Sequence, residues 1–131
     1  MKPTILLLHG ALNTSDQFTL ISEKLVPFFD VHTFDFSGHS QELYEDALDM
    51  SVLVRDVARY MDRMESETCH IFGYSMGGYA AVSFAKSQPK KLGNIVTLGT
   101  KWDWNPTSSA KEVAMLDPKM MAEKVPSYVV K

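Results

Sequence analysis

Residues 68–87 constrain the fold more than any other part of the sequence. A β-rich run, TCHIFGY, passes into an alanine-rich helical pattern through the segment GYSMGG at residues 73–78. Glycines at positions 73 and 77 permit a turn so sharp that the two positions nearly touch, and Gly78 lets the helix pack close to the sheet. The segment therefore predicts a strand that turns directly into a helix, with a serine at the turn.

Apolar runs alternate with helical patterns along the rest of the chain. Strands are predicted at residues 4–8, 31–36, 68–74 and 92–98, and helices at about 16–28, 52–64, 76–87 and 108–116, with another opening at 117–118. The apolar stripe of the first helix consists of Phe18, Ile21, Leu25 and Phe28. This alternation predicts an α/β fold of three layers, α/β/α, around a mainly parallel sheet with right-handed crossovers.

Composition excludes several classes of protein. Hydrophobic residues make up 45% of the chain, which is too apolar for a disordered segment. The formal net charge of −3 argues against a nucleic-acid partner, and no run approaches the ~20 apolar residues of a membrane span. Cys69 is the only cysteine, which fits a cytoplasmic protein without disulfides. We expect no cofactor and no metal, because Asp35 and His39 lack a third ligand.

The chemistry is predicted at Ser75. The pattern G-x-S-x-G between a strand and a helix is typical of a nucleophile elbow, formed here by Gly73, Gly77 and Gly78. Such a turn strains the serine and exposes its hydroxyl group at the carboxyl end of the strand. The alternative is a glycine-rich turn in which the serine is incidental.

A second motif, LHGA, follows the first predicted strand. Acyl transfer needs hydrogen-bond donors directed at the developing oxyanion. We predict that the backbone N–H of Met76 is one donor and that the N–H of Ala11 is the other, with Leu12 as the lesser candidate. His9 and Gly10 are interpreted as support for this loop, and a catalytic base at His9 is the alternative.

The segments ILLLHGALNTSDQF, FDFSGHS and FGYSMGGYAA, in this order and spacing, resemble the first half of an α/β-hydrolase. The resemblance covers roughly residues 4–100. It implies a sheet made of the family's third to sixth strands in the spatial order 4-3-5-6, with the first two strands absent. It also implies a serine hydrolase that acts on a carboxylic ester or a similar small acyl substrate through an acyl-enzyme on Ser75.

The family's catalytic acid and base follow the nucleophile in the chain, and here they are incomplete. All four histidines, at positions 9, 32, 39 and 70, precede Ser75. Asp103 is the one candidate acid, and a surface aspartate in a turn is the favoured alternative. We therefore expect residues 1–131 to form a single, truncated domain with its core in 1–100, and residues 101–131 to begin a cap or a C-terminal extension. The alternative function is a non-catalytic binding or structural module.

The predicted strand at 92–98 also bears on assembly. No later segment resembles a strand able to pair with it, apart from residues 128–130 at the tail. An apolar edge without charge or proline pairs readily with another chain. We therefore expect a homo-oligomer, most simply a two-fold dimer, formed either across this edge or through apolar surface that the missing half of the family's domain would have buried.

Overall fold

A computed structural model describes residues 1–40 and 44–128 of the chain. The strands are β1 (Thr4–Leu8), β2 (Asp30–Thr33), β3 (Cys69–Tyr74) and β4 (Leu92–Leu98). The α-helices are α1 (Thr19–Leu25), α2 (Met50–Arg63), α3 (Met76–Ser87), α4 (Pro106–Met115) and α5 (Pro118–Lys124). Short 3-10 helices lie at Ser15–Phe18, Pro89–Lys91 and Pro126–Tyr128. Of the tail segment 128–130, which was considered as a strand, residue 128 belongs to the last of these helices and residues 129 and 130 lie outside the described residues.

The strands form one parallel sheet in the order β2-β1-β3-β4, flanked by helices. This confirms the predicted α/β fold and the implied strand order 4-3-5-6. The side chains of the central strand β1 do not alternate between apolar and polar, because helices cover both faces of the sheet at this strand. Leu6, Leu7 and Leu8 are all fully buried. Ser75 and the loop after β1 consequently lie at neighbouring carboxyl ends of the sheet.

One face of the sheet carries the main core, beneath α2 and α3. Asp49 begins α2 by accepting hydrogen bonds from the backbone N–H groups of Ser51 and Val52. Val57 and Met61 of α2 and Phe84 of α3 are buried in the same cluster as the side chains of β1 and β3. This packing fixes α3, and with it the turn that carries Ser75, against the sheet.

The helix predicted at 16–28 is shorter than expected. A 3-10 helix precedes α1, and α1 ends at Leu25 because Pro27 cannot donate the next helical hydrogen bond. Phe18 is buried, but Ile21 is 40% exposed and Phe28 67% exposed, so the predicted core stripe is wrong at these two positions. The face of the sheet that α1 borders is therefore only partly covered.

Other boundaries also differ from the prediction by one to three residues. The second strand, predicted at 31–36, ends at Thr33 because the N–H of Phe36 donates to the His9 imidazole and not to a neighbouring strand. The helix predicted from residue 108 begins at Pro106, where Asn105 forms a capping box with Ser108. Neither difference alters the order of the elements.

An irregularity in the pairing of β3 with β4 lies at His70. Two residues of β4, Gly93 and Asn94, face this single residue of β3. The N–H of Asn94 donates to Nδ1 of His70 at 3.0 Å, so the imidazole takes the place of a backbone carbonyl. A Cβ atom at Gly93 would lie only 2.6 Å from Nδ1 of His70, which explains the glycine. Regular pairing of β4 therefore begins after this bulge.

Contacts divide the chain into two compact units, Met1–Thr100 and Lys101–Lys131. All buried apolar side chains of the described residues belong to the first unit. Among the helices described, none has both the length and the apolar character needed to cross a bilayer.

Candidate active site

Ser75 occupies the turn between β3 and α3 in a strained backbone conformation, with φ 50° and ψ −115°. Its N–H donates to the carbonyl oxygen of Leu98 at 2.8 Å. Its own carbonyl oxygen accepts hydrogen bonds from the N–H of Gly78 at 3.0 Å and from the hydroxyl of Thr100 at 2.9 Å. Neighbouring elements thus hold the residue on both sides in a conformation that a serine rarely adopts.

The three glycines of the turn are required by the close approach of neighbouring atoms. A Cβ atom at Gly73 would overlap the backbone of Gly78, and one at Gly78 would overlap the Thr100 hydroxyl. A Cβ atom at Gly77 would overlap the carbonyl oxygen of Leu8 at the end of β1. A Cβ atom at Gly73 would also lie only 2.7 Å from the backbone carbon of Gly77, so positions 73 and 77 nearly touch as predicted, and Gly77 faces the neighbouring strand as well.

Free backbone donors lie at the two neighbouring strand ends. Met76 is the first residue of α3, so its N–H has no partner within the helix. Across the described residues, no acceptor bonds the N–H of Ala11 or Leu12, whereas the N–H of Gly10 donates to the Gln17 side chain at 3.0 Å. Leu12 has φ 59°, and it and Ser75 are the only non-glycine residues with positive φ in the described chain. Backbone strain is thus concentrated in these two loops.

His9 anchors the loop after β1 from within the core. It is fully buried, with Nδ1 2.8 Å from the carbonyl oxygen of Gly10 and Nε2 accepting the N–H of Phe36 at 3.1 Å. These partners assign the neutral ring with its proton on Nδ1. Burial lowers the pKa of His9 most, and His39 lowers it further, against the opposing effects of the Gly10 hydrogen bond and Asp35. Both ring nitrogens are therefore engaged in the scaffold.

Asp35 ties the same loop to the segment after β2. Its carboxylate accepts the N–H of Ser15 at 2.7 Å. Burial raises the pKa of Asp35, but hydrogen bonds from the backbone and side chain of Ser15, together with the nearby His9 and His39, outweigh burial, so the pKa lies below its usual value. The carboxylate form is thus held at neutral pH, and it fixes the entry to the 3-10 helix.

The other histidines have structural partners. His32 bonds Asp30 through Nε2 at 2.9 Å and Tyr60 through Nδ1 at 3.3 Å. His70 accepts from Asn94 as described above. Nδ1 of His39 lies 3.1 Å from the carbonyl oxygen of Ser37, in the turn after β2. In the described chain, no three His, Cys, Asp or Glu side chains lie close enough together to bind a metal ion.

Asp103, the candidate acid, lies between β4 and α4 in the second unit and is exposed. The flanking Trp102 and Trp104 are 52% and 47% exposed, and Trp104 donates its indole N–H to the carbonyl oxygen of Lys101. The sequence analysis did not identify two residues that shape the site: Thr100, which contacts Ser75 across 25 positions, and Gln17, which accepts the N–H of Gly10 seven positions earlier. Only the position of Thr100 directly after a strand and a glycine could have drawn attention to it.

Comparison with known proteins places this geometry in a family. A family model described as the alpha/beta hydrolase fold matches residues 3–128. An sn-1-specific diacylglycerol lipase of Xenopus laevis is 28% identical over 100 residues, which cover 75% of this chain and 32% of the lipase. A pimeloyl-[acyl-carrier protein] methyl ester esterase of Aeromonas salmonicida is 26% identical over 100 residues, or 75% of this chain and 38% of the esterase. The chain thus spans about a third of the length of these relatives.

Solved structures share the fold. A hydrolase from Pseudomonas aeruginosa superposes with a TM-score of 0.81 at 23% identity, over 97% of this chain and 49% of that protein. An esterase from a marine microorganism superposes with a TM-score of 0.74 at 20% identity, over 100% of this chain and 56% of that protein. With a family match over nearly its whole length, the chain belongs to the alpha/beta hydrolase fold family.

Proposed function

We propose that this chain carries the nucleophile and oxyanion hole of a serine hydrolase that acts on carboxylic esters or similar acyl substrates. The observation that carries the proposal is the strained Ser75 beside the free N–H of Met76. Both lie at a switch point of the sheet, where the chain leaves β1 towards β2 on one side and leaves β3 towards β4 on the other. The printed names of the relatives, a diacylglycerol lipase and a methyl ester esterase, support an ester of a carboxylic acid as the substrate class.

The proposed reaction proceeds in two steps. Ser75 Oγ attacks the ester carbonyl carbon while its proton passes to a base, and the N–H groups of Met76 and Ala11, with Leu12 as the lesser candidate, donate to the oxyanion. The alcohol then leaves, and the acyl group remains on Ser75. Water attacks this acyl-enzyme, releases the carboxylic acid and restores the serine hydroxyl. The positive end of α3 favours the negative charge in both steps.

The base is the part of the mechanism that the chain's own histidines do not supply. Both ring nitrogens of His9 and of His32 are engaged elsewhere, and no histidine follows Ser75. Asp103 is retained as the proposed acid. We expect the chain alone to turn over esters slowly or not at all, with a residual acceleration of roughly 10³–10⁴ over water from the oxyanion hole.

The test is covalent labelling of Ser75 by a fluorophosphonate probe, followed by intact mass and peptide mapping. We expect one slow adduct on the folded chain, and we expect free imidazole, supplied as an external base, to accelerate its formation at least about tenfold. Ser75→Ala should abolish the adduct. Ser87→Ala is the matched control, because Ser87 lies at the other end of α3 and bonds only the carbonyl oxygen of Phe84.

Two results would contradict the proposal. Labelling that persists in Ser75→Ala would mean that another residue is the nucleophile. A folded chain that stays unlabelled even with imidazole would favour the alternative, a non-catalytic module that keeps the turn without its chemistry.

A further inference from the structure

Tyr74, the last residue of β3, lies with its ring between the ends of the two neighbouring strands. A Cβ atom at Gly10, after β1, would lie 2.9 Å from Cδ1 and 3.1 Å from Cε1 of the ring. A Cβ atom at Gly99, after β4, would lie 3.3 Å from Cε2, on the opposite edge of the ring. The ring therefore fills the space between the two strand ends, with a glycine on each side of it.

The ring accounts for the glycine at position 10. Gly99 has φ 66°, a conformation that by itself favours glycine, but Gly10 does not have a positive φ. A side chain at Gly10 is excluded by the closeness of the Tyr74 ring, at less than 3 Å from the added Cβ atom. The two residues are therefore in direct contact at the entrance to the loop after β1.

Two hydrogen bonds set the direction of the proposed donor in this loop. Gly10 and Ala11 share a planar trans peptide, so the carbonyl group of Gly10 and the N–H of Ala11 point in opposite directions. Nδ1 of His9 lies 2.8 Å from that carbonyl oxygen, and Gln17 accepts the N–H of Gly10 at 3.0 Å. Both partners belong to the same stretch of chain as the loop, so they do not fix its distance from Ser75.

The contact with Tyr74 is the one that joins this loop to β3. Regular pairing of β1 with β3 ends at Leu8 and Gly73, one position before the ring. The same added Cβ atom at Gly10 would lie 3.5 Å from Cβ of Ser75, so Gly10 lies directly beside the proposed nucleophile. The thickness of the ring thus limits how the loop can move relative to Ser75.

We propose that the Tyr74 ring is a spacer that holds the Gly10–Ala11 peptide at a fixed distance from Ser75, with Gly99 bracing the ring from the other side. The proposed oxyanion donor is then in place before an ester binds, and such preorganised donors need no rearrangement during the reaction. This role rests on the proposed function, because the donor matters only if Ser75 is the nucleophile. Tyr74 is a positioning residue, and it acts through Gly10.

Two substitutions separate the ring from its hydroxyl group. The atoms of Tyr74 closest to the two glycines are δ and ε carbons, which Tyr74→Phe retains. Tyr74→Val removes all of these atoms, yet valine is favoured in a strand. Tyr74→Leu, which keeps δ carbons but has no ε carbons, replaces the valine variant if that chain does not fold, and circular dichroism verifies folding.

Nitrogen-15 relaxation of the full chain tests the spacer without any substrate. We expect an order parameter of about 0.85 at the N–H of Ala11 in the natural chain and in Tyr74→Phe, and a value below about 0.6 in Tyr74→Val. Tyr60→Ala is the matched control, because it removes a half-buried tyrosine ring that stacks on Phe34 instead. It should leave the order parameter of Ala11 unchanged.

Fluorophosphonate labelling with imidazole present connects the spacer to the chemistry. We expect labelling of Ser75 to be at least about tenfold slower in Tyr74→Val, since a displacement of about 1 Å in a site can cost 10²-fold. Tyr74→Phe and Tyr60→Ala should both label at the natural rate. Recovery in the phenylalanine variant would assign the effect to the ring.

Three results would overturn the proposal. The first is an order parameter at Ala11 that is the same in Tyr74→Val as in the natural chain. The second is a Tyr74→Phe chain whose loop is as mobile as that of Tyr74→Val. The third is a mobile loop with an unchanged labelling rate. A natural chain that never labels, but whose loop loosens only in Tyr74→Val, would contradict the proposed function and support the spacer.

Discussion

Thr100 is the residue that links the strained serine to the end of β4. Its hydroxyl donates to the Ser75 carbonyl oxygen at 2.9 Å, across 25 positions of sequence, while the N–H of Ser75 is held by Leu98. A residue in such a region of φ and ψ carries about 1–3 kcal/mol of strain, and it persists only when its surroundings fix it. Thr100 is thus a positioning residue for Ser75.

We predict that Thr100→Val slows fluorophosphonate labelling of Ser75, measured with imidazole present, by about tenfold and lowers the free energy of unfolding by about 1 kcal/mol. The valine keeps the shape of the side chain but cannot donate. Thr100→Ser restores the hydroxyl and should keep most of the labelling rate. Equal rates in the valine and serine variants would show that the hydroxyl does not position Ser75.

His9 should make folding stability depend on pH. Its pKa in the folded chain lies below the ordinary value of about 6.5, because burial disfavours the charged ring. The unfolded chain therefore binds the proton first as the pH falls. The contribution is fully present above about pH 7 and is lost as the pH falls through 6.5 towards the lower folded pKa, at no more than about 1.4 kcal/mol per pH unit.

Urea unfolding between pH 8 and pH 5 measures this effect, and His9→Gln is the comparison. Glutamine does not titrate, so its stability should be lower than that of the natural chain at pH 8 but should fall less steeply towards pH 5. Parallel curves for the two chains would mean that a group other than His9 causes the pH dependence.

At the scale of elements, the contact between α3 and the end of β1 sets how close the nucleophile comes to the loop donors. The first turn of α3 lies directly on the carbonyl groups of Leu8 and His9, and only the missing side chain of Gly77 permits this approach. Ser75 follows from β3, which pairs in register with β1 up to Leu8 and Gly73. The spacing between the two halves of the proposed oxyanion hole is therefore a property of packed backbone.

We predict that Gly77→Ala destabilises the chain by about 1–3 kcal/mol and abolishes labelling of Ser75. In a helix without such contacts the same change would raise the free energy of unfolding by about 1 kcal/mol. A decrease therefore indicates that the added methyl group collides with the end of β1. Lys86→Ala, at an exposed position later in α3, is the control and should change stability little. Thermal unfolding measures both, and a more stable Gly77→Ala would show that α3 does not press on β1.

The elements that could be predicted are those whose cause is local. The apolar run of β1 and the glycines around Ser75 each act within a few residues, and the strands and the helix around them were predicted within a residue or two. The core stripe of the first helix failed at Phe28 because Pro27 ends α1 early. The Thr100 hydrogen bond depends on where two distant loops meet, and no local pattern encodes that.

At the scale of the whole molecule, the distribution of buried side chains separates the two units. The first unit, residues 1–100, contains the four described strands, α1 to α3 and all buried apolar side chains of the described residues. In the second unit, α4 and α5 begin with their own caps, Asn105 and Asp117, and no described side chain is buried. Hydrophobic burial is the main favourable term in folding, so stability should reside in the first unit.

We therefore predict that a chain ending at Thr100 folds with nearly the free energy of unfolding of the full chain, because no buried side chain is removed. Urea titration followed by circular dichroism measures this, and a loss of less than about 1 kcal/mol is expected for changes that touch only exposed residues. Pro106→Ala in the full chain, at the first position of α4, is the matched control for the second unit and should be equally mild. An unfolded or aggregated 1–100 chain would mean that residues 101–131 protect apolar surface that the sheet leaves open, with Val96 and Leu98 the first candidates.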